Sequence, residues 1–303
     1  MEITVAIISK DDRYTLEKCV VSFNKAVALL KSNQNVNRIR KILVTPKYKK
    51  FSNLEIFTDK GNGKINAIND LFKKINSDYT VLIDGDTLID QNLFNNIVNY
   101  IIKNDLSIAT GKILPLNSRD TLYGFWAWEL FDANANRLRR NQEKLRINGI
   151  LNHSNKFFPA SGYIMAIRNR DYMPIKSSII EDSEISKNFF NRGFMIGYDE
   201  TSICYVKFPT NLADIIKQKK RTIGGNIKED IKGKGEEKIS KRNFAQEIID
   251  GIIPTIMYVR SIKEFFYLIL LLLFRLYIWI YLFIYLKVLR NNLKWETVKS
   301  SKL

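Results

Sequence analysis

The chain has 303 residues, enough for one large core or two modest ones. Hydrophobic residues make up 46% and aromatic residues 12%, which argues against disorder, and a single histidine essentially excludes a zinc site of the Cys/His type. The formal charge of +17 admits either an anionic partner (nucleic acid, phosphate or lipid headgroups) or a general enrichment in lysine, so local clustering has to separate the two.

The opening stretch, "MEITVAIISK", has no basic n-region and no long apolar core, so it reads as a first strand over Ile3–Ile8, not as a signal peptide. From Thr15 to Leu30, Leu16, Cys19, Val20, Phe23, Val27 and Leu30 recur at helical spacing. Candidate strands follow at Arg40–Val44, Leu54–Phe57 and Thr80–Ile83, and "GKINAINDLFKKIN" again carries the helical period. Strands alternating with helices predict βαβ units and a mostly parallel sheet covered on both faces. Cys19 and Cys204 fall in a helix and a strand, which suits buried thiols better than a disulfide.

Beyond Lys112 the rhythm breaks. Residues 113–158 read as irregular, with an aromatic cluster "YGFWAWELF" and a basic stretch "RLRRNQEKLR". A strand at Tyr163–Ile167, an acidic helix start near Glu181 and a hairpin around "FMIGYDETSICYV" come next. Lys217–Arg242 holds ten basic and four acidic residues, a net +6. Phe265–Leu286 is 22 residues with one charge, Arg275. As a helix it would be about 33 Å long, enough for a bilayer core. Membrane contact is the expectation, with spanning and lying in the interface both open. The tail carries Lys287, Arg290, Lys294, Lys299 and Lys302, a pattern favoured on the cytoplasmic side.

Four stretches hold groups capable of chemistry. In "VLIDGDTLID" an apolar strand runs into Asp84-Gly85-Asp86. The two carboxylates could be a solvated turn, or hard oxygen donors for Mg²⁺ or Mn²⁺ on a diphosphate. Asp90, in the same stretch, reads as a cap for the next helix. In "DKGNGKINAIN" glycines lead to Lys64 at a helix start, a place suited to phosphate, although no P-loop or dinucleotide spacing is present. "IIEDSEIS" groups Glu181, Asp182 and Glu184, as a general base or as ordinary helix N-terminal acids. "QKKRT", from Gln218, opens the basic stretch and could meet a diphosphate or lipid headgroups.

Together, in this order, these stretches resemble family 2 glycosyltransferases of the GT-A fold, over roughly residues 2–226. "LIDGDT" is similar to the family's metal motif, "EDSEIS" to its catalytic-base motif, and "QKKRT" to the last motif of membrane-bound members. The resemblance implies an α/β fold, a Rossmann-like mixed sheet flanked by helices, followed by a C-terminal hydrophobic membrane helix. Its extent, with the basic and apolar stretches beyond it, divides the chain into a catalytic domain at 1–226, a basic linker at 227–249, a membrane-associating segment at 250–290 and a basic tail at 291–303. It implies Asp84 at the nucleotide, Asp86 with Asp84 at a divalent cation (Mg²⁺ or Mn²⁺), and Asp182 as the base of an inverting transfer. Ser9, Lys64, Gln218 and Arg221 would contact the donor, a nucleotide-diphosphate sugar. The acceptor would be a lipid-linked or membrane-proximal glycan, with membrane lipids as further partners and the catalytic domain on the cytoplasmic side. Two departures stand out. "ILVTPKYKK" lacks the aspartate the family carries after its second strand, and Thr222 replaces the tryptophan of the last motif. An inactive, membrane-tethered binding subunit is therefore the alternative. A nucleic-acid partner is not expected, because the densest basic stretch adjoins the apolar segment.

Overall fold

The structure, a computed structural model, describes residues 1–10, 13–143, 146–147, 150–151, 157–175, 181–220, 256, 258–285 and 298–303. The chain divides into two compact units. The first comprises Met1–Leu114 and Leu138–Val206 with Leu303, and the second Pro115–Arg137 and Lys207–Lys302.

The first unit is built on β1 (Glu2–Ile8), β2 (Arg38–Thr45), β3 (Glu55–Thr58), β4 (Tyr79–Asp84), β5 (Thr87–Ile89), β6 (Ile108–Pro115), β9 (Ile164–Arg168) and β10 (Ile196–Val206). They form one eight-stranded sheet in the order β3-β2-β1-β4-β9-β6-β10-β5. The strands β3, β2, β1 and β4 are parallel to one another, whereas β9 lies antiparallel to both β4 and β6, and β10 antiparallel to β5. A separate two-residue pair joins β7 (Arg146–Ile147) to β8 (Ile150–Leu151). The mixed α/β sheet expected from the sequence is the one observed. Ile3 to Ile7 of β1 are all buried, as a parallel strand covered on both faces requires.

Helix α1 (Arg13–Leu30) buries Leu16, Cys19, Val20, Phe23, Val27 and Leu30, the stripe read from its period. It packs on α3 (Leu93–Lys103) through Phe23 and Phe94, edge to face at 5.3 Å. Helix α2 (Lys64–Phe72) is tied to the chain beyond β9 by Asn69. The Asn69 amide donates to the Ile175 carbonyl at 2.8 Å and accepts from Ile175 N–H at 3.0 Å and the Tyr172 hydroxyl at 2.7 Å.

Three readings need correction. Residues 113–158 are not irregular throughout, because α4 (Leu122–Glu143) is a 22-residue helix. Its apolar residues crowd into the first turns and the remainder is polar, which hides the period. No hairpin forms around residues 194–206, where β10 is one continuous strand of 11 residues. Asp199 does not break it, because the Thr201 and Ser202 hydroxyls donate to its buried carboxylate. Asp90 does not cap α3. Asn92 holds the N-cap position but makes no side-chain cap bond, and the Asp90 carboxylate, two residues earlier, accepts from Asn92 N–H at 2.9 Å in an Asx turn.

Between β6 and β10 the backbones leave no room for a side chain at Gly111, where a Cβ would sit 2.1 Å from the Ser202 carbonyl oxygen. Gly111→Ala is expected to cost about 3 kcal/mol, the upper end of overpacking because the obstacle is backbone; urea unfolding checks this.

The second unit centres on α6 (Ile262–Phe283). Ser261 caps it, accepting from Glu264 N–H at 3.2 Å, and Glu264 takes a two-pronged pair from Arg119 at 2.6 and 2.9 Å. A helical segment over 212–220 and the start of α4 complete its core. Asp214 accepts from Ser300 N–H at 2.9 Å, and this contact holds its carboxyl well below the usual range. By length and composition Ile262–Leu282 is apolar enough to cross a membrane.

Candidate active site

Register brings the carboxyl ends of three parallel strands level. Ile8 lies opposite both Val44 and Asp84, so Ser9, Thr45 and Gly85 follow side by side. Ser9 N–H donates to the Val44 carbonyl at 3.0 Å and Gly85 N–H to the Ile8 carbonyl at 3.1 Å, which locks the turn that carries Asp84 and Asp86. In open α/β sheets such an edge is where ligands bind.

Helix α2 starts at the same edge. Gly61 (φ +71°) and Gly63 (φ +102°) hold backbone conformations that L side chains avoid, and a Cβ on Gly63 would meet nothing within 4 Å. These glycines therefore shape the loop and leave open space above it. They deliver Lys64 to the first residue of α2, where the helix dipole disfavours a cation. Carboxylates supply the compensation. The Lys64 ammonium pairs with Asp84, lies 3.5 Å from Glu181, and donates to the Gly162 carbonyl at 3.3 Å.

Helix α5 (Glu181–Asn191) brings the opposing acids, and there the dipole favours them. Asp182 accepts from Ser183 N–H at 2.8 Å and from Gly162 N–H at 3.3 Å. The Ser186 hydroxyl links the Asp182 carbonyl to Ala160 N–H, at 2.7 and 2.9 Å. Gly162 thus contacts both Lys64 and Asp182, and a Cβ there would stand 3.3 Å from the Lys64 nitrogen and 3.6 Å from Asp182 Oδ2.

The electrostatics follow from crowding. Burial raises Asp84 to about 7, with repulsion from Asp86 and Glu181 added and attraction to Lys64 opposing. Burial also raises Asp182, aided by Glu181 and opposed by Lys64 and the two backbone donors. Burial alone would lower Lys64, but Asp84 and Glu181 outweigh it and hold the ammonium above its usual value. The buried Cys204 thiol is pushed up by burial and by Asp84. Cys19, also buried and free, points its sulfur at the Asp84 carbonyl at 3.7 Å.

Among the described residues, no three histidine, cysteine or acidic side chains converge into a closed metal cage. The donors present still fit a hard cation. Asp84 and Asp86 flank one glycine and repel each other, and Mg²⁺ commonly takes one or two carboxylates and completes its shell with phosphate and water.

The structure therefore gathers Lys64, Asp84 and Asp182, with Ser9 and Asp86 at the same strand ends. Gln218 lies in the second unit, on the segment 212–220, and Arg221 falls outside the described residues. Two neighbours were not singled out from the sequence. Glu181 was one acid among three, and Gly162 carried only the weak signal of a small residue ahead of a strand. Asp59 was missed too. It follows Thr58, the register partner of Thr45, donates its N–H to the Thr45 carbonyl at 3.3 Å, is buried, and accepts from Gly61 N–H at 2.5 Å.

Residues 49–225 match the family described as "Glycosyltransferase like family 2", and the chain belongs to that family. A curated relative is the β-1,4-mannosyltransferase egh of Drosophila melanogaster, 26% identical over 198 residues, which are 62% of this chain and 40% of that protein. The chain thus spans about two fifths of that relative's length. Among solved structures, mannosyltransferase PcManGT from Pyrobaculum calidifontis, in complex with GDP-Man and Mn²⁺, superposes with a TM-score of 0.51 at 13% identity. The match covers 77% of this chain and 65% of that one. It shows the shared fold, the GT-A arrangement anticipated above.

Proposed function

We propose that this protein is an inverting glycosyltransferase that moves a sugar from a nucleotide-diphosphate donor to a hydroxyl, or a phosphate, of a lipid-linked or membrane-proximal acceptor. The observation that carries the reading is the convergence of Lys64, Asp84 and Asp182 at the carboxyl edge of the sheet in a member of this family. Asp182 accepts the proton of the acceptor hydroxyl as its oxygen attacks the anomeric carbon. The bond from that carbon to the diphosphate breaks, a new C–O bond forms on the opposite face, and the nucleoside diphosphate leaves. The two backbone N–H groups on Asp182 orient its carboxylate for this step.

Asp86 and Asp84 would hold Mg²⁺ or Mn²⁺, which when bound offsets charge on the diphosphate. Lys64 and Ser9 contribute to the donor site from the strand ends, and Gln218 and Arg221 are assigned to the diphosphate by the family pattern alone. The basic tail favours the cytoplasmic side, and the catalytic unit shares that side where the apolar helix lies along the membrane and does not cross it.

Asp59 answers the missing aspartate after β2. It ends the adjacent parallel strand at the same edge, one strand over, and we assign it to donor recognition. The test is a panel of nucleotide sugars with Mg²⁺ or Mn²⁺, read by release of nucleoside diphosphate. One donor should be turned over, and Asp59→Asn should raise its KM about tenfold with kcat little changed, the result of losing one charge-assisted contact. No release from any donor would favour the binding-subunit alternative.

A further inference from the structure

Helix α6 is divided lengthwise. Leu268, Leu271, Phe274, Ile278 and Leu282 recur every three or four residues and are buried in one cluster with Phe125, Trp126, Phe208 and Ile215. Trp126 stacks on Phe274 at 5.2 Å and donates its indole N–H to the Tyr267 carbonyl at 2.9 Å. Apart from Lys263, Glu264 and Arg275 the rest of the helix is apolar as well, and much of it faces outward. Phe266 is 59% exposed, Leu273 58%, Tyr277 53% and Ile280 52%, with Leu270 and Leu276 exposed between them. Only 28% of the most apolar stretch is buried, less than the mostly buried core helix of a soluble fold. An unbroken apolar face of this length marks an interaction surface.

The charges beside the helix identify what covers that face. At its start, Lys263 donates to the Asp120 carbonyl at 3.0 Å and lies 5.6 Å from the Tyr267 ring. At its far end, the Lys220 ammonium lies 5.3 and 5.2 Å from the Tyr281 and Tyr285 rings. Midway, Arg275 and Lys219 line one groove with Trp126 and Trp279. Cations therefore accompany α6 along its whole length, on the side of its packed partners. A helix crossing the bilayer would drag the segment 212–220, with Asp214, Lys217, Lys219 and Lys220, into hydrocarbon beside it. A helix lying in the interface leaves those charges among the headgroups and sinks only its apolar face.

We propose that α6 lies in the plane of an anionic phospholipid leaflet. The face from Phe266 to Ile280 enters the acyl region, and Lys220, Lys263 and Arg275 meet lipid phosphates, in keeping with the net charge of +17. The inference rests on the second unit alone, so it stands or falls independently of glycosyl transfer.

The experiment uses the full chain with vesicles of phosphatidylcholine, with and without phosphatidylglycerol, read by flotation. Binding should require phosphatidylglycerol and weaken with salt. Leu273→Glu and Ile280→Glu should each lower it at least about tenfold. These side chains touch little protein, so unchanged circular dichroism is expected to accompany the loss. Nitroxides attached through Phe266→Cys, Leu273→Cys and Ile280→Cys should report one common depth. Depths that run from one headgroup layer through the midplane would overturn the proposal in favour of a span. Failure to bind either vesicle, or a concentration-dependent dimer abolished by the same glutamates, would overturn it as well, the latter by assigning the face to a second copy of the chain.

Discussion

Replacing Asp182 by Asn is expected to lower kcat by about 10²–10⁴-fold, the span typical of general-base removal, while the chain stays folded. The amide is close in shape, but Gly162 N–H meets one carboxylate oxygen and Ser183 N–H the other, so its single carbonyl oxygen keeps one of these two bonds. It also loses the ability to take a proton. Single-turnover release of nucleoside diphosphate measures the chemical step, and donor binding serves as the control. The pH profile gives a second readout. Burial and Glu181 raise the Asp182 pKa, and only its deprotonated form is a base. The acid limb of kcat/KM should therefore lie above the ordinary carboxylate range and vanish in the Asn variant. A limb at the usual carboxylate pKa would argue that another group abstracts the proton.

Lys64→Met should damage both stability and donor binding. Each partner of the Lys64–Asp84 pair keeps only about a fifth of its side chain open, 22% and 23%. Removing one member strands its neighbour, and the expected cost is about 3 kcal/mol at pH 8. The sign with pH follows from Asp84. Its folded pKa of about 7 lies above the unfolded value of about 3.9. Its favourable contribution is complete below that unfolded value and is lost as pH rises through about 7. Without the ammonium the folded value climbs further, so the penalty of Lys64→Met grows with pH. Urea unfolding of chelator-treated protein at pH 5 and pH 8 checks this, and an equal loss at both would refute the charge assignment.

Much of the first unit could be read locally because its signals are local. The buried strands β1 and β4 are continuous apolar runs, and α1 carries its core stripe within 18 residues. Helix α4 escaped because its stabilising contacts lie far away in sequence: Trp126 bonds to Tyr267, 141 positions on. The strand β10 escaped for a related reason, since Asp199 looks like a turn former until its carboxylate is seen to be satisfied. At the site, residue types were legible and partnerships were not. Lys64 looks like a phosphate contact, whereas its bond to Gly162 joins positions 98 apart.

By itself the sequence determined the α/β class, the family to which the chain belongs, the acid pair at the end of β4 and the apolar character of residues 262–283. The class and the apolar stretch are carried by composition and short-range periodicity, and the family and the acid pair by resemblance to its motifs, none of which folding alters. Only the tertiary structure decided that Lys64, Asp84 and Asp182 share one small volume. It likewise decided that Gly162 contacts both Lys64 and the Asp182 of α5, and that α6 hides one face while exposing another. These are facts of proximity between distant segments. The same proximity makes the chemistry possible, because burial and the crowding of like carboxylates, against the pull of Lys64, raise the Asp84 and Asp182 pKa values above those of free carboxylates.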